Sequence, residues 1–422
     1  GPAAVRGYAD RLADRLAGAA AAGTPGTVDV GHTLARRRAH LPHRAAVYAA
    51  SRAELIERLR EFAAHGTGAV TGTAPSGPGR DPVWVFSGHG SQWTGMAREL
   101  LAEHPAFAAV IDRLEPVFRA ELGVSPRAVL LDGAPQPVHI VQPMIFAVQA
   151  GLAEVWRSWG LRPGAVIGHS VGEIAAAVTA GALTLEQGAR LVCRRSLLLR
   201  RVAGRGAMAL VNLPPEKAEQ RLGDREDVVV AVAASTGSAV ISGDRDAVAE
   251  LGARWRAEGL AVRPVASDVA FHSPHMDPLL APLRAALADL RPRPPRIPLY
   301  STALADPRSA APRDGAYWAA NLRGQVRFAQ AVAAAVADGH RLFLEVSPHP
   351  VVEHSINETL DELGVTDACV THSLRRGRPE RELLLTALGT LWCHGAEVDW
   401  AAVWPDGGLT DLPGTVWQRK PY

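Results

Sequence analysis

The feature that most constrains this chain is a buried strand that runs directly into a serine-containing turn and then into a helix. Residues Ala165–Gly168 form the apolar run AVIG, the turn HSVG follows with Ser170 in second place, and an alanine-rich helix is predicted over Val171–Ala180. A Gly-x-Ser-x-Gly pattern between a strand and a helix is typical of a nucleophile elbow, whose glycines let the backbone pass close to the serine. It predicts a reactive serine hydroxyl beside the N-terminus of a helix.

Further strand–turn–helix units indicate the fold class. They begin at Val83–Phe86, Leu342–Val346 and Cys369–Thr371, and this alternation predicts an α/β fold with an α/β-hydrolase-like core around a parallel sheet. From about Gly206 to Phe271 the predicted order is instead β-α-β-β-α-β, which is the signature of a ferredoxin-like subdomain inserted into that core.

The two ends of the chain differ from the middle. Before residue 77 we predict a small α+β unit with helices over Val28–Arg38 and Ser51–Ala63 and a strand over Arg44–Ala49, and we interpret the Gly/Pro/Thr-rich stretch His65–Pro82 as a linker. An amphipathic helix is predicted over Glu380–Cys393. The predicted domains are therefore a linker domain at 1–77, a large α/β subdomain at 82–205 with 272–372, a ferredoxin-like subdomain at 206–271, and a C-terminal linker at 373–422.

Composition excludes several classes of protein. The 422 residues include 45 Lys+Arg and 43 Asp+Glu, so the net charge of +2 gives no electrostatic case for nucleic acid or a membrane surface as a partner. Three widely spaced cysteines argue against a disulfide framework or a structural zinc site, and we predict no bound metal. No apolar stretch reaches 18 residues and no leader-like segment is seen, so we expect a cytoplasmic protein.

A serine nucleophile needs a base, and the chain has fifteen histidines. The best local candidates are His272 and His275 in the segment VAFHSPHM, and spacing alone does not choose between them. At this point two rival functions stay open: a thioesterase or esterase of the α/β-hydrolase type, and a catalytically idle module that only docks a partner.

Seven motifs, in order and across nearly the whole chain, resemble those of the acyltransferase domain of a type I polyketide synthase, a family similar to malonyl-CoA:acyl-carrier-protein transacylases. They are FSGHGSQW (Phe86–Trp93), VQP (Val141–Pro143), GHSVGE (Gly168–Glu173), the arginine of CRRS (Arg195), AFHSPHM (Ala270–Met276), YWAANLR (Tyr317–Arg323) and LEVSPHPV (Leu344–Val351). The FSGHG form resembles iterative synthases of the aromatic, salicylate-like type. The first 77 residues resemble a ketosynthase-to-acyltransferase linker, and the last eleven resemble a post-acyltransferase linker.

The resemblance implies catalytic roles. Ser170 would be acylated, and His272 would take its proton and later return one. A backbone carbonyl, at Asn321, would orient the histidine in place of a carboxylate. The backbone N–H groups of Val171 and His89 would form the oxyanion hole. Most family members carry glutamine at position 89, so the role of the His89 side chain is left open.

The resemblance also implies how the acyl group is chosen. Arg195 would pair with the free carboxylate of a malonyl group, Gln142 would line the pocket, and Arg194 is expected to face solvent. The segment Val269-Ala270-Phe271-His272 matches the family's HAFH motif except at its first position, and Phe271 would fill the space that an α-methyl group needs. We therefore expect a preference for malonyl-CoA over methylmalonyl-CoA.

The function implied is acyl transfer in polyketide biosynthesis. An acyl-CoA would load Ser170, and the acyl-serine ester would then pass its acyl group to the phosphopantetheine thiol of an acyl carrier protein. The partners implied are malonyl-CoA, an acyl carrier protein and an adjacent ketosynthase domain, and no cofactor is bound by this domain itself.

Overall fold

The computed structural model describes residues 1–18, 26–75, 80–134 and 136–416. It comprises two compact units, one made of Gly1–Asp81, Trp156–Arg162 and Arg381–Tyr422, and the other of Pro82–Val155 and Pro163–Glu380. The predicted boundary at residue 77 and the last six residues of the predicted C-terminal linker lie outside the described residues.

The helices follow one another along the chain as α1 (Pro2–Ala17), α2 (Thr27–Arg37), α3 (Arg52–His65), α4 (Arg98–Glu103), α5 (Pro105–Leu122), α6 (Pro126–Asp132), α7 (Val138–Ser158), α8 (Gly172–Thr179), α9 (Leu185–Leu199), α10 (Pro215–Leu222), α11 (Arg245–Ala257), α12 (Asp277–Ala286), α13 (Gly315–Arg323), α14 (Phe328–Ala337), α15 (Glu353–Glu362), α16 (Glu380–Cys393) and α17 (Trp400–Val403), with a 3-10 turn at Pro274–Met276. The strands are β1 (His43–Ala46), β2 (Val70–Thr73), β3 (Val83–Phe86), β4 (Ala165–Gly168), β5 (Gly206–Val211), β6 (Val228–Ala233), β7 (Ala239–Asp244), β8 (Val262–Pro264), β9 (Leu299–Tyr300), β10 (Val326–Arg327), β11 (Leu342–Glu345) and β12 (Cys369–His372).

One of the two five-stranded sheets of the second unit confirms the predicted parallel α/β fold. Its strand order is β12-β11-β3-β4-β9, and every neighbouring pair is parallel. All residues of β3, β4 and β11 are buried, as expected for strands covered by helices on both faces. The helix α8 packs against β3 and β4. The segment that joins β4 to α8 lies at the carboxyl edge of the sheet, where α/β proteins bind their ligands.

A second sheet in the same unit has the strand order β10-β6-β7-β5-β8. The four strands β5 to β8 and the helices α10 and α11 follow the predicted order β-α-β-β-α-β, and these four strands pair antiparallel. The strand β10 pairs parallel with β6 and comes from outside the predicted 206–271 range. A two-residue strand carries no periodicity that a sequence reading can detect, which explains why it was missed.

The first unit corrects the interpretation of His65–Pro82 as a linker. Within it, β2 pairs antiparallel with β1, from Val70 opposite Ala46 to Thr73 opposite His43. Main-chain hydrogen bonds form this ladder, so β2 needs no apolar pattern of its own. The helix α3 is capped at its N-terminus, since the Ser51 hydroxyl accepts a hydrogen bond from the Glu54 N–H at 3.2 Å.

The helix α7 is long and apolar enough to cross a membrane by length and composition, although 83% of its most apolar window is buried inside the structure. Burial of that kind is typical of the core helix of a soluble protein.

Candidate active site

The elbow at the end of β4 has the geometry that its glycines predict. A Cβ atom on Gly172 would lie 2.1 Å from the carbonyl oxygen of Phe86, and one on Gly168 would lie 2.2 Å from the Cα of Glu173. No side chain fits at either position, because strand and helix backbones are in direct contact there. Between them Ser170 adopts a left-handed conformation with φ of 57°.

The structure brings Ser170 together with His272, which is 102 positions away in the chain. The Ser170 Oγ and the His272 Nε2 are 2.6 Å apart, and both residues are buried. His272 also has a positive φ, of 59°, and among the described non-glycine residues only these two and Ala97 do. Backbone strain of this kind collects at functional sites. His275 instead pairs with Asp244, at 2.6 Å.

Main-chain carbonyls orient the histidine, and the predicted one at Asn321 is the weaker of two. The His272 Nδ1 is 2.9 Å from the carbonyl oxygen of Gly324, and the hydrogen bond with the Asn321 carbonyl raises the pKa of the imidazole less than the bond with Gly324 does. Because α13 ends at Arg323, the Gly324 carbonyl lies beyond the helix and is free to accept the bond. An acceptor at Nδ1 fixes the tautomer in which Nε2 can take the serine proton.

Burial and charge both favour the neutral imidazole. Desolvation, followed by the positive charge of Arg195, lowers the pKa of His272 to about 3. A base for the serine must be unprotonated before the reaction begins. His272 therefore meets that requirement throughout the neutral pH range.

Two backbone N–H groups flank the serine. In the described part of the chain, the N–H of Val171, just before α8, and the N–H of His89, in the turn after β3, have no acceptor. The two turns are in close contact, because a Cβ on Gly88 would lie 2.9 Å from the carbonyl oxygen of His169. Free donors beside a nucleophile are the elements of an oxyanion hole.

The side chain of His89 connects this turn to the segment before His272. Its Nε2 is 3.2 Å from the carbonyl oxygen of Ala266, and its ring lies 5.8 Å from that of Phe271, centroid to centroid. Its Nδ1 is buried with no hydrogen-bond partner within the described ranges, and burial lowers the pKa of the imidazole. His89 thus contacts the chain at Ala266, before the predicted acyl-binding segment, and at Phe271, within it.

Arg195 is completely buried in α9, yet its guanidinium is mostly unpartnered. The Nη1 group donates a 3.4 Å hydrogen bond to the Asn321 Oδ1, while Nε and Nη2 have no partner among the residues that the structure describes. Desolvation lowers its pKa to about 10, so the group still carries its charge at neutral pH. A buried cation with unused donors is a site for an anion, and a carboxylate fits its planar fork.

The neighbouring Arg194, unlike Arg195, is paired with carboxylates, so the expectation that it faces solvent is wrong. Its side chain is only 25% exposed and pairs with Glu121 at 2.9 Å and Asp289 at 2.8 Å. The two arginines lie on different sides of one helix, and of the two only Arg195 has guanidinium N–H groups without an acceptor in the described part of the chain.

The remaining predicted site residues are all buried. Val269, Ala270 and Phe271 are each at most 3% exposed, and the Phe271 ring lies 6.4 Å from that of His272. Gln142, in α7, is also buried, and no described residue donates a hydrogen bond to its Oε1.

Sequence reasoning missed a carboxylate that holds the elbow in place. The Glu173 Oε1 accepts hydrogen bonds from the Thr302 N–H at 2.8 Å and from its hydroxyl at 2.5 Å, and the Tyr317 hydroxyl donates to Oε2. The Thr302 hydroxyl also lies 2.9 Å from the Gly168 carbonyl oxygen. Only the glutamate at the end of the GHSVGE motif hinted at this network.

A cavity of about 540 Å³ borders this site. It is lined by His89, the segment Ala266–Asp268, and polar side chains that include Gln92, His139 and Arg200. Its size suits a ligand of moderate length, and its rim is polar with one exposed cation. Among the described residues no group of three or more His, Cys, Asp or Glu side chains is arranged to hold a metal ion.

Comparisons with known proteins agree with this arrangement. Residues 83–398 match the family model described as "Acyl transferase domain". The chain is 52% identical over 399 residues to the 5-methyl-1-naphthoate synthase of Streptomyces sahachiroi, covering 93% of this chain and 22% of that protein. It is 46% identical over 397 residues to the 6-methylsalicylic acid synthase of Penicillium patulum, covering 93% and 22% respectively. The chain thus spans about a fifth of the curated relatives that it matches.

A solved structure is similar over almost the whole chain. The acyltransferase domain from module 8 of the salinomycin polyketide synthase is 37% identical, with a TM-score of 0.89 and 95% of both chains covered. With a serine–histidine pair on the elbow and a buried, unpaired arginine beside it, this chain belongs to the acyl transferase domain family of the polyketide synthases.

Proposed function

We propose that this domain transfers a malonyl group from malonyl-CoA to the phosphopantetheine thiol of an acyl carrier protein through a malonyl-Ser170 ester. The observation that supports it most is the buried Arg195 with two unused donors in the same unit as the Ser170–His272 pair. A hydrolase or transferase for simple acyl groups has no use for an unpaired buried cation, whereas a diacid thioester supplies its counter-ion.

In the first half-reaction the Ser170 Oγ attacks the thioester carbonyl carbon, and His272 accepts the hydroxyl proton. The N–H groups of Val171 and His89 stabilise the oxyanion. The carbon–sulfur bond then breaks, and the imidazolium returns the proton to the departing CoA thiolate. In the second half-reaction His272 takes the proton of the carrier thiol, the thiolate attacks the ester, and Ser170 recovers its proton as the ester bond breaks.

The cavity beside His89 supports a long thioester arm as the carrier of the acyl group. Its lining includes both hydrogen-bond donors and acceptors, which suits the amides of a pantetheine chain, and the Arg200 cation suits a phosphate. One opening would then serve CoA and the carrier protein in turn.

The buried Phe271 supports malonyl over methylmalonyl as the acyl group. Its ring occupies space close to His272, and a serine side chain at this position would leave room for an α-methyl group. A hydrolase of the α/β type is the rival function. It expects a carboxylate on the second nitrogen of the histidine, whereas within the described residues that nitrogen bonds to a main-chain carbonyl.

Intact-mass spectrometry after incubation with a mixture of malonyl-, methylmalonyl- and acetyl-CoA tests the proposal. We expect stoichiometric malonyl-enzyme, no adduct on Ser170→Ala, and transfer of the group when a phosphopantetheinylated carrier protein is added. Steady release of free malonate without an adduct would instead indicate the hydrolase, and no reaction at all with folded protein would indicate an idle docking module.

For the whole protein we propose an iterative synthase of an aromatic polyketide in the cytoplasm. The names of the relatives, a naphthoate synthase and a salicylic acid synthase, support the aromatic product. We interpret the N-terminal and C-terminal segments as linkers on either side of the acyltransferase. The N-terminal linker would connect it to an adjacent ketosynthase domain.

A further inference from the structure

We propose that the side-chain amide of Asn321 is a positioning group, which holds the Arg195 guanidinium with a neutral acceptor and so reserves its charge for the acyl carboxylate. This inference rests on the proposed function and adds a residue whose side chain has no role there.

The amide contacts both halves of the site. Asn321 is 2% exposed, its Oδ1 accepts the 3.4 Å hydrogen bond from Arg195 Nη1, and its Nδ2 donates a 3.2 Å hydrogen bond to the main-chain carbonyl of Ser170. A carboxamide presents an acceptor and a donor in one plane, and a carboxylate of the same shape presents only acceptors. One small side chain therefore fixes the distance between the binding group and the nucleophile.

The charge of the holder decides what Arg195 can bind. The carboxylate whose charge most affects Arg195 is Glu173, but both of its oxygens are already engaged by Thr302 and Tyr317. An ionised aspartate at position 321 would form the ion pair that the substrate is proposed to form, and the buried arginine would then gain little from a malonyl carboxylate. The asparagine gives the same geometry without neutralising the cation.

The variant Asn321→Asp tests this inference with almost no change in shape. We expect the ratio of malonyl to acetyl loading onto Ser170, measured as initial rates by intact-mass spectrometry, to fall by about 100-fold. The matched control is Asn357→Asp, the same chemical change at an exposed position in α15, which we expect to keep the ratio of the parent protein. A parental ratio in N321D would overturn the inference.

A second variant separates charge from packing and serves if N321D does not fold. Asn321→Ala removes both hydrogen bonds but adds no negative charge, so we expect slower loading of both acyl groups with the malonyl-to-acetyl ratio close to that of the parent. A loss of ratio in N321A as large as in N321D would show that charge is not the cause. If Arg195→Ala left the ratio unchanged, the proposed function itself would fail, which is a different outcome.

Discussion

Two buried ionisable side chains lie near the carboxyl edge of the same sheet and differ in how many hydrogen bonds they make. Burial raises the pKa of Glu345 to about 7 and lowers that of Arg195 to about 10. Glu345, the last residue of β11, accepts four hydrogen bonds, from the Ser347 hydroxyl at 3.0 Å and from three main-chain N–H groups, those of Val351, Val352 and Glu353, at 2.7–3.1 Å. Arg195 is equally buried but has one long hydrogen bond.

The difference separates structure from function. The Glu345 carboxylate closes the LEVSPHPV loop onto the start of α15 and has no capacity left for a ligand, so we infer a structural role. The Arg195 guanidinium has spare capacity that folding does not use, and a buried charge is retained in that state only at a cost in stability. Both arginine and glutamate lie in motifs shared with the family, and only their hydrogen-bond partners distinguish them.

The largest effect that we expect from this comparison is on stability. Glu345→Gln keeps the size of the side chain but turns an amide N–H₂ toward main-chain N–H donors that need acceptors. We expect the free energy of unfolding to fall by about 3 kcal/mol, as measured by urea denaturation. Glu216→Gln, at an exposed position of α10, is the control and should change stability little. An equally small effect in E345Q would remove the proposed structural role.

Arg195→Ala should show the reverse pattern. We expect malonyl loading to fall by about 100-fold while acetyl loading falls much less, because only the diacid loses its counter-ion. The free energy of unfolding should fall by less than in E345Q or even rise, since an unsatisfied buried charge is removed. Rapid-quench loading assays and urea denaturation of the same preparation give both results, and equal losses for the two thioesters would contradict the assignment.

Phe271 is an uncharged residue of the same site, and its proposed role is to select malonyl over methylmalonyl. Phe271→Ser should reduce the preference for malonyl over methylmalonyl by about tenfold, in line with the 1–3 kcal/mol that one methyl group is worth. Phe271→Leu, which keeps much of the bulk, is the matched variant and should retain most of the preference. Competition between the two CoA thioesters measures it, and a preference unchanged in F271S would separate Phe271 from selectivity.

The smallest effect concerns pH. Burial and the charge of Arg195 lower the pKa of His272 to about 3, from an ordinary value of 6.5 for a histidine. The imidazole therefore stays neutral when the pH falls below 6.5. We expect the single-turnover rate of malonyl-enzyme formation to change by less than about twofold from pH 8 to pH 5.5, where a base of pKa 6.5 would be about tenfold less available. Circular dichroism at each pH checks folding, and an inflection near 6.5 would contradict the lowered pKa.

Local sequence was enough for the elements that depend on neighbouring residues. The parallel sheet followed from short apolar runs, and the elbow followed from glycines that pack against backbone at Gly168 and Gly172. It was not enough for β2, whose ladder rests on main-chain bonds to β1, or for the two-residue β10. Nothing near His272 in sequence marks its positive φ, since that conformation is imposed by the groups around it.

The order of amino acids establishes which residue types are available: a serine on a tight turn, two candidate histidines, and an arginine within a helix. The folded chain shows that His272 and not His275 meets the serine, and that the Gly324 carbonyl makes the stronger hydrogen bond to the imidazole. It also shows that, among the described residues, Arg195 keeps free donors while Arg194 does not. The physical reason is that hydrogen bonding and desolvation depend on distances between groups far apart in the chain, and a linear pattern holds no record of those distances.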